Sequence, residues 1–192
     1  MEIIQAKKEN LKNIISSLER GMVLVCPTDT VYGLICDAKN EKAVEKIFEI
    51  KQREKTKPLA VFVKNIAEAK KIAAIAQKQK EFLKKNWPGP TTVILKAKRG
   101  LSALVYKEDT IGIRIPDYHF IKLILEKFKN PLAQTSANIS GQPPRIRIRE
   151  TLRQFENAEI QPDIIINAGD LPENKPSKIV DFSKNTIKIL RR

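Results

Sequence analysis

"PLAQTSANISG", residues 131–141, sets an apolar run against a small, polar one that ends in glycine. Read as a strand, the run stops on Ser136, Asn138 and Ser140. Two readings fit that ending. One is a plain turn. The other is a binding edge, where hydroxyls, an amide and free backbone N–H groups meet phosphate or carboxylate oxygens.

Outward from this segment, short β-like runs alternate with helical ones, which is the pattern of an α/β or mixed-sheet domain. "EIIQA" (2–6), "MVLVCP" (22–27), "LAVFV" (59–63), "TTVILKA" (91–97), "TIGIRIP" (110–116) and "DIIINAG" (163–169) read as strands, with two more over 177–191 around "SKN". A helix over 8–20 puts Leu11, Ile14, Ile15 and Leu18 on one face and stops at Gly21. A second, over 40–51, turns Val44, Ile47 and Phe48 inward behind an Asn40 cap. One or two helices fill 65–86, Asp117 caps a helix over 118–129, and 149–156 forms a short one. No internal repeat is present, and the expectation is a single domain over 1–192.

The chain has 192 residues, 42% of them hydrophobic, enough for one core. No stretch approaches the ~18 apolar residues that span a bilayer. The start lacks a basic lead, apolar block and cleavage site, so the expected location is the cytoplasm with no membrane partner. Cys26 and Cys36, read as reduced thiols, and one histidine do not make a four-ligand zinc site, so no protein-bound metal is expected. His119 reads as a surface or capping residue. Lys plus Arg is 36 against 22 acidic residues, a net +14. That field suits phosphorylated ligands or nucleic acid; a lysine-rich solvated surface produces it equally well.

No GxxxxGK[ST], GxGxxG, HExxH, GxSxG or CxxC occurs. A nucleotide, if bound, is held by another device. Three clusters join "SANISG" as candidates. "PTDTVYGL" (27–34) puts Thr28, Asp29, Thr30 and Tyr32 at a strand's C-terminal end, where α/β sheets commonly bind ligands; an Asx-type turn at Asp29 is the alternative. "KQREKTKP" (51–58) gathers Lys51, Arg53 and Lys57 at a helix end, either for a phosphate or for the helix dipole. "GIRIP" (112–116) places Arg114 inside an apolar strand, where it needs a partner: a ligand carboxylate held bidentately, or a structural salt bridge.

Together, "PTDTVYGL", "KQREKTKPL", "WPGPTT", "IGIRIPD", "PLAQTSANISG", "PSKIVDF" and the terminal "ILRR" resemble the YrdC/Sua5 threonylcarbamoyl-AMP synthases. They occur in that family's order and cover most of the chain. The resemblance implies a twisted mixed α/β sheet with flanking helices and a basic concave cavity. It implies condensation of L-threonine, bicarbonate and ATP, with Mg²⁺, to threonylcarbamoyl-adenylate and pyrophosphate. A separate transferase complex then moves the threonylcarbamoyl group to adenosine 37 of tRNA. On the matching positions it implies Lys51 and Arg53 as catalytic. Those two bind ATP with Lys57, Thr110, Asn138, Ser140 and Arg191. Thr30, Arg114, Ser136 and Ser177 bind threonine. The chain resembles the short type. It departs from the pattern at Asp29, where Glu is usual, at Phe62, where some members have His, and at Lys178, which follows Ser177. Arg145, Arg147 and Arg149 suggest either a mobile lid over 141–149 or surface charge. The competing class is a tRNA- or duplex-RNA-binding module without catalysis, gripping phosphates through the basic surface.

Overall fold

The computed structural model describes residues 1–184 and 186–191. In chain order it runs β1 (Glu2–Gln5), α1 (Leu11–Glu19), β2 (Leu24–Cys26), β3 (Gly33–Asp37), α2 (Glu41–Lys51), β4 (Ala60–Phe62), α3 (Ile66–Ile72), α4 (Gln77–Asn86), β5 (Thr91–Lys96), β6 (Tyr106–Lys107), β7 (Thr110–Arg114), α5 (His119–Lys127), β8 (Leu132–Ser136), α6 (Ile148–Glu156), β9 (Ile164–Asn167), β10 (Lys178–Asp181) and β11 (Lys188–Arg191).

Continuous apolar runs become strands buried on both faces. In "VLVC", Val23 and Val25 enter one core while Leu24 and Cys26 enter the other. Ile165 and its neighbours Ile164 and Ile166 divide the same way. The second core is closed by α1 and α5, through Leu11, Ile14, Leu18, Phe120, Ile121 and Ile124. The strands form one mixed sheet in the order β1-β9-β2-β3-β8-β4-β7-β5-β10-β11, with β6 on β7. β1 and β2 flank β9 in parallel, β4 is parallel to β7 and β5 to β10, while β3–β8, β4–β8 and β5–β7 are antiparallel.

Local signals explain the helix ends. Asn40 accepts from the Ala43 N–H at 3.1 Å and caps α2. Gly21 takes φ +78° after α1, and a Cβ there would meet the Asn40 Nδ2 at 2.5 Å, so glycine is required both for the turn and for the approach. Residues 65–86 form two helices, α3 capped by Asn65, whose side chain accepts from the Glu68 N–H. One expectation fails, and one strand goes unread. Asp117 does not cap α5; Tyr118 holds that position without a side-chain bond, and the Asp117 carboxylate takes the Lys122 ammonium instead. "GLICD" is a strand that the sequence reading passed over, since its apolar run is only Leu34–Cys36 and follows the loop-like "PTDT"; Leu34 and Cys36 face one core and Ile35 the other. His119 is exposed at the start of α5.

Candidate active site

A cleft of about 330 Å³ opens on the sheet, lined by residues from β3, β8, β4, β7, β5, β10 and β11, which are consecutive neighbours in the strand order. Its wall includes Gly33, Ser136, Ala60, Arg114, Thr92, Ile179 and Arg191, one from each of those strands, together with Thr28, Thr30, Arg53, Asn138 and Ser177 from the adjoining loops. The sheet order therefore brings together residues as far apart in the chain as Thr28 and Arg191.

Among the described residues, three guanidinium-bearing side chains reach this cleft. Arg53 follows α2, whose last turn ends at Gln52 in the left-handed conformation, φ 50°. That reversal sends Arg53 away from the helix, and its Nε and Nη2 donate to the carbonyls of Lys57 (2.8 Å) and Pro58 (3.2 Å). Arg191, from β11, donates through Nε to the Ser177 carbonyl at 2.9 Å and through Nη2 to the Ser177 hydroxyl at 3.3 Å. Burial, and then the charge of Arg114, lower the Arg191 pKa.

Arg114 is 2% exposed. Its Nε donates to the Gly89 carbonyl at 3.1 Å, Nη1 to the Thr30 hydroxyl at 3.3 Å, and Nη2 to the Asp29 carboxylate. The salt-bridge alternative read from the sequence thus exists. It leaves one N–H unspent on each terminal nitrogen, enough for a second carboxylate. The guanidinium carbon also lies 5.6 Å from the centre of the Phe62 ring, so Phe62 supplies a cation–π platform beneath Arg114.

The hydroxyls are ordered by their partners. Thr28 Oγ1 donates to the Val31 carbonyl at 2.7 Å, which commits its only proton. The Thr30 hydroxyl, 3.1 Å from Thr28 Oγ1, must then donate to it while accepting from Arg114. Thr30 is held as an acceptor toward the guanidinium. Thr92 and Ser177 pair at 3.1 Å across β5 and the start of β10. Tyr32 anchors the same loop: its hydroxyl donates to the Gly169 carbonyl at 2.6 Å and accepts from the Ala168 N–H, and burial pushes its pKa up to about 12.

Of the residues singled out from the sequence, Thr30, Arg53, Arg114, Ser136, Asn138, Ser177 and Arg191 line the cleft. Four others stand apart from the wall. Lys51 is buried behind it and donates to the carbonyls of Ser136 and Asn138, each at 2.6 Å, and to Asn138 Oδ1 at 3.3 Å. Its ammonium fastens the "SAN" backbone in place. Lys57 is exposed and paired with Glu54 at 3.2 Å. The Thr110 hydroxyl donates to the Lys107 carbonyl. Exposed Ser140 gives its N–H to the Lys51 carbonyl at 2.8 Å. Pro144 from the 141–149 loop lines the cleft, but Arg145 and Arg147 engage Glu150 at 3.6 and 3.8 Å. Exposed Lys178 is not in the wall either. The sequence reading missed Thr92, Gln134 and Thr135. A signal existed for Thr92, a polar residue on the strand face opposite buried Val93 and Leu95.

Comparison with known proteins follows the same outline. The family model named for Sua5, YciO and YrdC, described as "Telomere recombination", matches residues 16–192. A Methanocaldococcus jannaschii protein is 36% identical over 195 residues, covering 100% of this chain and 91% of that one. The threonylcarbamoyl-AMP synthase of Vibrio campbellii is 31% identical over 188 residues, covering 96% and 99%. The solved structure of P. abyssi Sua5 complexed with L-threonine superposes with a TM-score of 0.89 at 26% identity, covering 99% of this chain; this chain spans 56% of that one. The motifs, the twisted mixed sheet and these likenesses agree, and the chain belongs to the Sua5/YciO/YrdC family.

Proposed function

We propose that this protein is a threonylcarbamoyl-AMP synthase, making threonylcarbamoyl-adenylate and pyrophosphate from L-threonine, bicarbonate and ATP. The observation that carries this reading is a single cleft in which Arg53, Arg114 and Arg191 face a wall of threonine and serine hydroxyls. The names of the relatives support it, as does the threonine bound to the P. abyssi protein.

The chemistry needs no protein nucleophile. The threonine amine takes up bicarbonate or CO₂ to give a carbamate, a carbamate oxygen attacks the α-phosphorus, and pyrophosphate leaves. What the cleft supplies is position and positive charge. Arg114 and Thr30 take the threonine carboxylate side, with Ser136 and Ser177 nearby. Arg53 and Arg191 face the phosphates. Among the described residues no group of three or more His, Cys, Asp or Glu is placed to hold a metal. A Mg²⁺ carried in by ATP would be held by phosphate oxygens and water. A threonylcarbamoyl-transferase acting on tRNA would consume the adenylate, since such a mixed anhydride is a high-energy acyl donor.

Pyrophosphate release from Mg-ATP tests the reading, with threonine or bicarbonate left out in turn. Release is expected only when both are present. Release that ignores both would make the protein a plain pyrophosphohydrolase. No release, combined with salt-sensitive tRNA binding, would favour the RNA-binding class suggested by the +14 charge. In the same assay Arg53→Ala should cut turnover ~10²-fold, the usual loss for one charge-stabilising donor. Near-normal turnover would remove Arg53 from the phosphate site.

A further inference from the structure

The wall of the cleft contains no aspartate or glutamate among the described residues. The carboxylate joined to it is Asp29, on the loop between the lining residues Thr28 and Thr30 and paired with Arg114. Its side chain is 10% exposed. Oδ1 accepts from Arg114 Nη2, while Oδ2 is buried with no hydrogen-bond partner. A buried carboxylate oxygen without a donor is costly and calls for an explanation. The deficit on the other half of the pair is the mirror image. Arg114 uses one N–H on each of its three nitrogens, so each terminal nitrogen keeps one to spare.

The pair therefore lacks one donor on its anion and has two unspent donors on its cation. An α-amino acid zwitterion supplies both complements, with ammonium and carboxylate on the same carbon. We propose that Asp29 receives the α-ammonium of threonine while Arg114 receives its carboxylate. This rests on the synthase reading and makes Asp29 a specificity-determining residue: the clamp selects a free α-amine next to a carboxylate and leaves the side-chain hydroxyl to the rest of the wall. The loop is covered by the connection after β9. There, exposed Asn174 donates to the Asp29 carbonyl at 3.2 Å, two residues before the lining Pro176 and Ser177.

Calorimetric titration of the whole protein without ATP tests the clamp, using L-threonine and 2,3-dihydroxybutanoate, in which a hydroxyl replaces the ammonium. Asp29→Asn keeps an oxygen for Arg114 and removes the charge. It should weaken threonine ~100-fold, the usual range for losing a buried charge partner, and leave the deaminated acid within ~3-fold. Unchanged threonine affinity overturns the assignment. So does an equal loss for both compounds, which would mean that Asp29 only orients Arg114. Should the Asn variant not fold, Asp29→Glu displaces the carboxylate by one methylene. It should alter threonine affinity alone; equal shifts overturn the proposal there too. Wild-type protein that binds neither compound overturns the synthase reading itself, an outcome distinct from selective failure at Asp29.

Discussion

Arg114→Met is expected to lower stability by about 3–5 kcal/mol, because it leaves the Asp29 carboxylate buried without its cation. The guanidinium is almost fully enclosed, its side chain 3% exposed, so solvent screening does little to soften the loss. Turnover should fall by ~10³-fold or more, since the same change removes the carboxylate partner of threonine and the donor that orients Thr30. Denaturant unfolding and pyrophosphate release read the two effects separately. The double variant Asp29→Leu with Arg114→Met separates them further. Replacing both members of a buried ion pair by apolar groups is often neutral, so most of the stability should return while turnover stays lost. A single Met variant within about 1 kcal/mol of wild type would show that the pair contributes little to folding. Recovery of turnover in the double variant would remove Arg114 from the site.

Arg114 also marks how far the sequence could be read. A charge inside "IGIRIP" announces a buried partner, and both sequence-level options hold: the protein supplies Asp29, and two N–H groups remain for a ligand. The distance between Asp29 and Arg114 in the chain hides that pairing, since only the run of neighbours β3-β8-β4-β7 closes it. The helices were legible because amphipathic periodicity and caps such as Asn40 are local. β3 was not, since its apolar run is only Leu34–Cys36, set between Gly33 and Asp37 and read as the tail of "PTDTVYGL", whereas β2 and β9 announced themselves by longer apolar runs. The cation cluster of residues 51–57 was legible as charge but not as geometry. One left-handed residue, Gln52, parts its members: Lys51 turns inward, Arg53 reaches the cleft, and Lys57 stays on the surface.

Lys51→Met should be nearly as damaging as loss of Arg114, for a different reason. It would strip the donor from three acceptors at once: the carbonyls of Ser136 and Asn138 and the Asn138 side-chain oxygen. Unpaired buried acceptors cost about 1–3 kcal/mol each; with some water entry the expected loss is about 2–4 kcal/mol. Turnover should fall ~10²–10³-fold, because Ser136 and Asn138 line the cleft and this ammonium holds both of their carbonyls. The pH dependence has a definite sign. Burial, and then the Arg53 charge, push the Lys51 pKa down to about 7, below its value in the unfolded chain. Below pH 7 both states are protonated and the folded state bears the full cost of the buried charge. As pH rises toward the unfolded pKa, the unfolded chain holds more protons, and this group's penalty is relieved. The stability gap between wild type and Lys51→Met should therefore widen between pH 6 and pH 9. A gap that stays flat would mean that the three oxygens keep the ammonium charged throughout, and the low pKa would be refuted. A Met variant with wild-type turnover would show that the "SAN" backbone holds its shape without Lys51.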